Sequence, residues 1–78
     1  MEQLLLELHN ESPKPLQIWL EPWGEELTMK PGATWRLTDV RTPPTSVTIS
    51  YRQDGISVHT MPSGKIRLMD GASIIWQA

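Results

Sequence analysis

This 78-residue sequence has no cysteine, no phenylalanine and no long hydrophobic run. Without cysteine it cannot form the disulfide framework that stabilises many small secreted domains. Its apolar run at residues 4–6 is far shorter than the ~20 residues that cross a bilayer. The N-terminus is not basic, so no secretory signal is predicted. We therefore expect a cytoplasmic protein that does not associate with membranes.

The sequence also lacks the common signatures of chemistry. It contains no glycine-rich phosphate loop, no nucleophile-elbow motif and no cysteine- or histidine-based zinc pattern, the histidines being His9 and His59. Its lysines and arginines are scattered singly, whereas sequence-independent binding of nucleic acid needs them clustered. We predict a non-enzymatic protein with no catalytic residue, no metal, no cofactor and no nucleic-acid partner.

The charges that are present are unevenly distributed. Residues 1–29 contain six Glu and one Lys, whereas residues 30–78 contain six Lys or Arg and three Asp. Two interpretations follow. The two halves of the chain attract each other across one small fold, or an acidic face meets a basic partner.

Turn signals divide the chain into short alternating segments, which is typical of a single all-β domain over residues 1–78. We predict a small antiparallel β-sandwich or flattened barrel of about seven to eight short strands. The predicted strands span residues 3–9, 16–20, 26–29, 33–38, 46–52, 56–60, 65–69 and 72–77. Pro31-Gly32 predicts a type II turn, and Asp54-Gly55 and Asp70-Gly71 predict hairpins. Further breaks are predicted at residues 42–44 and 62–64.

Alternation within these segments predicts which side chains share a face. In the second strand, Ile18 and Leu20 lie on one face and Trp19 lies on the other. In the last strand, Ile74 and Trp76 point inward. Two further sets of three are each expected on a single face, namely Leu4, Leu6 and Leu8 in the first strand and Val47, Ile49 and Tyr51 in the fifth.

The most informative segment is Glu21-Pro22-Trp23-Gly24-Glu25-Glu26, where a forced chain reversal carries one indole ring and three carboxylates. Trp23 either folds back to close the end of the core or serves as a recognition group. We predict a binding site, the Trp/Glu corner, that consists of Trp19, Glu21, Trp23, Glu25 and Glu26.

The Trp/Glu corner is compatible with several occupants. A protein partner, which the sequence does not identify, is the first expectation, in the manner of an inhibitor or adaptor. The alternative is a small ligand, either a sugar stacked on an indole ring or a cation held by the carboxylates. Self-association is a third prediction, because an edge strand of such a fold can pair with its twin into a homodimer.

The block Glu21–Glu25, read EPWGE, followed by the turn Lys30-Pro31-Gly32, resembles a segment of small uncharacterised bacterial proteins. These have a first strand that ends in Asn, as at Asn10, then the EPWGE block and a Pro-Gly turn. The resemblance covers roughly residues 6–37. It implies a bacterial or phage origin and no particular activity.

Overall fold

The computed structural model describes residues 2–40, 46–60 and 65–78, which form eight β-strands in two sheets. The strands are β1 (Gln3–His9), β2 (Leu16–Glu21), β3 (Glu25–Met29), β4 (Thr34–Asp39), β5 (Val47–Arg52), β6 (Gly55–Thr60), β7 (Ile66–Asp70) and β8 (Ser73–Gln77). Sheet A has the order β1-β4-β7-β8, and sheet B has the order β3-β2-β6-β5. The prediction of an all-β fold is confirmed, and of the two predicted shapes the protein adopts the sandwich.

The described part of the chain contains no helix with the length and apolar character needed to cross a membrane. The predicted breaks at residues 42–44 and 62–64 lie outside the described residues.

The core lies between the two sheets and consists of the side chains that point inward, at alternate positions along the strands. Sheet A contributes Trp35, Leu37, Ile66 and Leu68, and sheet B contributes Ile18, Leu20, Met29, Ile56 and Val58. Because strand residues alternate between faces, the residues between these positions point to solvent. Burial of each large aliphatic side chain stabilises the fold by roughly 1.5–3 kcal/mol before conformational entropy is counted.

Five of the six strand pairs between described residues are antiparallel, but the central pair of sheet B, β2 and β6, is parallel. In that pair Gln17 lies opposite Gly55, and Trp19 lies opposite Ser57. Gly55 is buried, and a Cβ atom there would overlap the Gln17 carbonyl oxygen and lie 2.7 Å from its carbonyl carbon. The close approach of β2 to β6 therefore requires glycine.

Two irregular pairings change the predicted faces in sheet A. The β1–β4 register shifts between Leu4 and Leu6, so that Leu4 pairs with Thr38 and is 53% exposed. The β7–β8 register shifts between Leu68 and Met69, and Ile74 is 47% exposed. The predictions that Leu4 shares a face with Leu6 and that Ile74 points inward are therefore wrong, since an extra residue in a strand reverses the alternation beyond it.

The turns largely follow their sequence signals. Gly32 has a φ of +81°, and the Ala33 amide donates to the Lys30 carbonyl at 3.1 Å, as in the predicted type II turn. Gly71, which follows Asp70, has a φ of +59°. Both predicted Asp-Gly hairpins are displaced by one residue: Asp70 pairs with Ser73, so Gly71 and Ala72 form the β7–β8 turn, and the β5–β6 turn is displaced in the opposite direction. Arg52 pairs with Gly55, so Gln53 and Asp54 form the turn and Gly55 begins β6.

Asn10 is a buried polar residue that fixes the connection from β1 to β2. Its Nδ2 donates to the carbonyls of Lys14 and Met29 at 2.8 and 3.0 Å, and its Oδ1 accepts from the Ser12 amide and hydroxyl. Its backbone bonds to Gly32 and Ala33. This one side chain holds the loop of residues 11–15 against the end of β3.

Candidate functional site: the outer face of sheet B

Trp19 lies on the outer face of sheet B, near the middle of the strand β2. Its neighbours Ile18 and Leu20 are 0% and 1% exposed because they point into the core, so the Trp19 side chain points away from it. In the register, Trp19 is flanked by Glu26 on β3 and Ser57 on β6. The indole is half-buried on a sheet face that no second layer of described strands covers.

Arg52 stacks on Trp19. Its guanidinium carbon lies 4.1 Å from the centroid of the indole ring, a cation–π contact between β5 and β2. The intervening strand β6 presents only Gly55 and Ser57 at this level, so no bulky side chain separates the two. The contact favours this mutual orientation of the two groups by about 0.5–1 kcal/mol.

A chain of hydrogen bonds flanks the other side of the indole. Gln17 Nε2 donates to Glu26 Oε2 at 2.5 Å, and the Thr28 hydroxyl donates to Gln17 Oε1 at 2.6 Å. These three side chains come from β2 and β3 and share the outer face with Trp19. Glu26 is therefore held in place beside the ring.

Glu21 completes this face at the end of β2, opposite the exposed His59 of β6. We call the set Gln17, Trp19, Glu21, Glu26 and Arg52 the Trp19 face.

The carboxylates of the Trp19 face differ from those of Glu2 and Glu7 on sheet A. Glu7 pairs with Arg36 at 3.3 Å, and Glu2 lies 3.8 Å from Arg67, so the acidic half does pair with the basic half on sheet A. Glu21 and Glu26 make no ion pair among the described residues. The attraction between the two halves is thus present on sheet A. That an acidic face meets a basic partner stays a prediction.

Trp23 has a different environment. The Glu21–Pro22 peptide bond is cis, Gly24 has a φ of +72°, and the turn between them returns Trp23 to the core. Its ring centroid lies 4.9 Å from that of Trp76 at an interplanar angle of 60°, an edge-to-face contact between the β2–β3 turn and β8. Trp23 therefore closes one end of the sandwich.

The structure thus divides the predicted Trp/Glu corner in two. Trp19, Glu21 and Glu26 lie together on the outer face. Trp23 packs against the core, and Glu25, which pairs with the buried Leu20, is exposed on that same side of the sheet. The binding site itself stays a prediction, but the residues able to act together are the first three.

The predicted site left out Gln17 and Arg52. Gln17 lies two residues from Trp19 on the same face of β2, as strand alternation predicts. Arg52 is distant in sequence and reaches the indole only because β6 separates β5 from β2 in sheet B. A parallel β2–β6 pair has no local turn signal, so the sequence offered no means to find this contact.

Among the described residues there is no group of three or more His, Asp or Glu side chains arranged to hold a metal ion. The chain matches no protein-family model, no curated protein and no solved structure. The resemblance of the EPWGE block to small bacterial proteins therefore stays a prediction.

Proposed function

We propose that this protein is a non-enzymatic protein-interaction module that binds a protein partner through the Trp19 face. One observation carries the proposal. Trp19 lies on the outer face of sheet B, away from the core, and is held there by the Arg52 guanidinium at 4.1 Å. Burial of the core does not require an indole at this position, because Ile18 and Leu20 already supply the inward side chains of β2.

The composition and rigidity of the face support this function. Trp and Arg are the residue types most enriched among those that dominate binding energy at interfaces. Here the mutual contact of Trp19 and Arg52 favours one arrangement of the two before any partner arrives, and the hydrogen bond from Gln17 does the same for Glu26. Fixed side chains lose less conformational entropy on association, which favours binding.

The small-ligand alternative has weaker support. A sugar ring stacks on an open indole face, but the Arg52 guanidinium covers one face of Trp19. A protein partner can contact the edge of the ring, the guanidinium and the carboxylates of Glu21 and Glu26 at once. The mixed charge of this face suits a partner surface that presents both signs.

We further propose a cytoplasmic setting and a bacterial or phage origin, with an inhibitor or adaptor role. A chain without cysteine is compatible with a reducing compartment. The EPWGE resemblance supports the origin, and it makes a bacterial lysate the appropriate source of partners.

The test is quantitative capture of proteins from a bacterial lysate by immobilised wild-type protein, Trp19→Ala and Ile74→Ala. Ile74 is a matched control because it is also an exposed apolar side chain, on the other sheet. We expect at least one protein that wild type and Ile74→Ala retain and Trp19→Ala loses. Its purified form should bind Trp19→Ala about tenfold or more weakly than wild type, a loss of about 1.4 kcal/mol or more. Identical capture by all three baits would contradict the proposal.

A further inference from the structure

The core-facing side of β5 is left uncovered. Val47, Ile49 and Tyr51 pair with Thr60, Val58 and Ile56, all of which are buried, so the three β5 side chains point to the same side as the core. Nevertheless Ile49 is 40% exposed and Tyr51 is 90% exposed, whereas Val58 is 0% exposed. Sheet A therefore covers β6 and leaves β5 progressively open towards the hairpin at Gln53 and Asp54.

A strand that covered the exposed side chains of β5 would lie next to β1. In the described part of the chain, β1 is the first strand of sheet A and pairs with β4 alone, so the outer edge of residues 4–9 presents unpaired backbone groups. A groove of about 580 Å³ opens at the end of β1, and it is lined also by the loop after β1 and by the β5–β6 hairpin. Leu8 of β1, Tyr51 of β5 and the buried Ile56 all line this groove. One further strand beside β1 would pair with its free edge and cover Ile49 and Tyr51.

The groove has a fixed wall and a basic rim. The loop that contributes Ser12 and Lys14 is held by the buried Asn10 side chain. Lys14 is exposed and makes no ion pair among the described residues, and Arg52 lies on the opposite wall, with Asp54 as the acidic group of the lining. A carboxylate on an occupant would find an unpaired ammonium group here.

We propose that this groove and the free edge of β1 together accept an extended peptide strand of another protein. The peptide would carry apolar side chains at alternate positions, facing Ile49 and Tyr51, and an acidic residue near Lys14. Addition of a strand gives affinity through backbone hydrogen bonds and selectivity through alternate side chains. This groove shares only Arg52 with the Trp19 face. The inference does not depend on binding by that face.

The competing occupant is a second copy of the chain, paired edge to edge through β1. The sedimentation measurement below distinguishes it from a peptide strand.

The test uses a synthetic, fluorescently labelled peptide of about eight residues, enough for one strand. It alternates Val with Thr and ends in two Asp residues. The matched control peptide has Pro in place of a central Thr, because proline cannot donate to a strand ladder. We expect saturable binding of the first peptide below about 1 mM by fluorescence anisotropy. We also expect binding to slow amide hydrogen exchange in Gln3–His9.

Variants separate this surface from the Trp19 face. Tyr51→Asp and Ile49→Thr alter exposed side chains, so thermal melting should show that both stay folded. Each should weaken peptide binding, Tyr51→Asp by about tenfold or more, whereas Trp19→Ala should leave it within about twofold.

The proposal would be overturned by equal binding of the proline peptide, by no saturable binding at all, or by unchanged binding to Tyr51→Asp. Sedimentation that shows a wild-type dimer dissolved by Tyr51→Asp would also overturn it, since the occupant would then be a second copy. None of these results bears on capture by the Trp19 face.

Discussion

Trp19 and Trp23 are four residues apart in the sequence, yet they lie in opposite environments. Trp19 lies on the outer face of sheet B, stacked under a guanidinium at 4.1 Å. Trp23 lies at the end of the core, edge to face with Trp76 at 4.9 Å. The two rings contact different elements, since Trp19 meets β5 whereas Trp23 meets β8.

The difference between them arises from two local rules. Strand alternation places Trp19 outward because its neighbours Ile18 and Leu20 point inward. The turn at Pro22 and Gly24 then reverses the chain and directs Trp23 back to the core. Proximity in sequence, even within one aromatic and acidic segment, therefore does not make a single site. Each of the following substitutions alters the surroundings of Trp19, the surroundings of Trp23, or the β2–β6 pairing on which both depend.

We expect the largest effect on stability from Gly55→Ala, which disrupts the β2–β6 pairing on which the positions of both tryptophans depend. The added Cβ would overlap the Gln17 carbonyl oxygen and force β2 away from β6. We expect the free energy of unfolding to fall by about 3 kcal/mol or more, and Arg52 should no longer stack on Trp19. Urea denaturation measures the free energy of unfolding, and near-ultraviolet circular dichroism reports the change in the environment of the tryptophans.

Gly71→Ala is the matched control. It has a φ of +59°, and a Cβ there would meet nothing within 4 Å. It should therefore cost only backbone strain, about 1–2 kcal/mol. Equal destabilisation by the two alanines would show that the close β2–β6 approach is not what demands glycine at residue 55.

A smaller effect is expected from the pair Trp23 and Trp76. Because each ring is half-buried against the core, Trp76→Ala should cost about 2 kcal/mol. A double-mutant cycle with Trp23→Ala should show a coupling of about 0.5–1.5 kcal/mol, the usual value for an edge-to-face pair. Chemical denaturation of the four proteins in the cycle measures it. If the losses of the two single variants simply added in the double variant, the two rings would not stabilise each other.

The smallest effect on stability is expected from Arg52→Gln on the outer face. An exposed cation–π contact contributes about 0.5–1 kcal/mol, so the free energy of unfolding should fall by no more than that. The spectral signature of Trp19 should change, because the ring loses its cationic neighbour. Arg52→Lys is the conservative control, and it should restore part of the cation–π stabilisation. A loss of stability as large as that of Trp76→Ala would place Trp19 among the structural tryptophans.

Much of the fold could be predicted from the sequence, because period-two alternation and turn residues act locally. The eight predicted strands differ from those observed by one residue at most at either end, and Pro31-Gly32 forms the predicted turn. The failures have physical causes. Extra residues in β1 and β8 reversed the faces of Leu4 and Ile74. The parallel pairing of β2 and β6 left no local trace, since nothing near either strand encodes its distant neighbour.

Less of the candidate site could be predicted. Composition drew attention to the segment around Trp23, and alternation placed Trp19 outward. Sequence could not separate the two rings into surface and core, because that separation depends on where β8 and β5 lie. Tyr51 shows the same limit. Its face was predicted from alternation, but its 90% exposure depends on how far sheet A extends.

The central claim is that Trp19 belongs to a surface and Trp23 to the core. It is tested most directly by the free energies of unfolding of Trp19→Ala and Trp23→Ala, measured by urea denaturation in one buffer. The account predicts a loss of about 1 kcal/mol or less for Trp19→Ala. For Trp23→Ala it predicts a loss of about 2–3 kcal/mol. Equal losses, or a larger loss for Trp19→Ala, would contradict it.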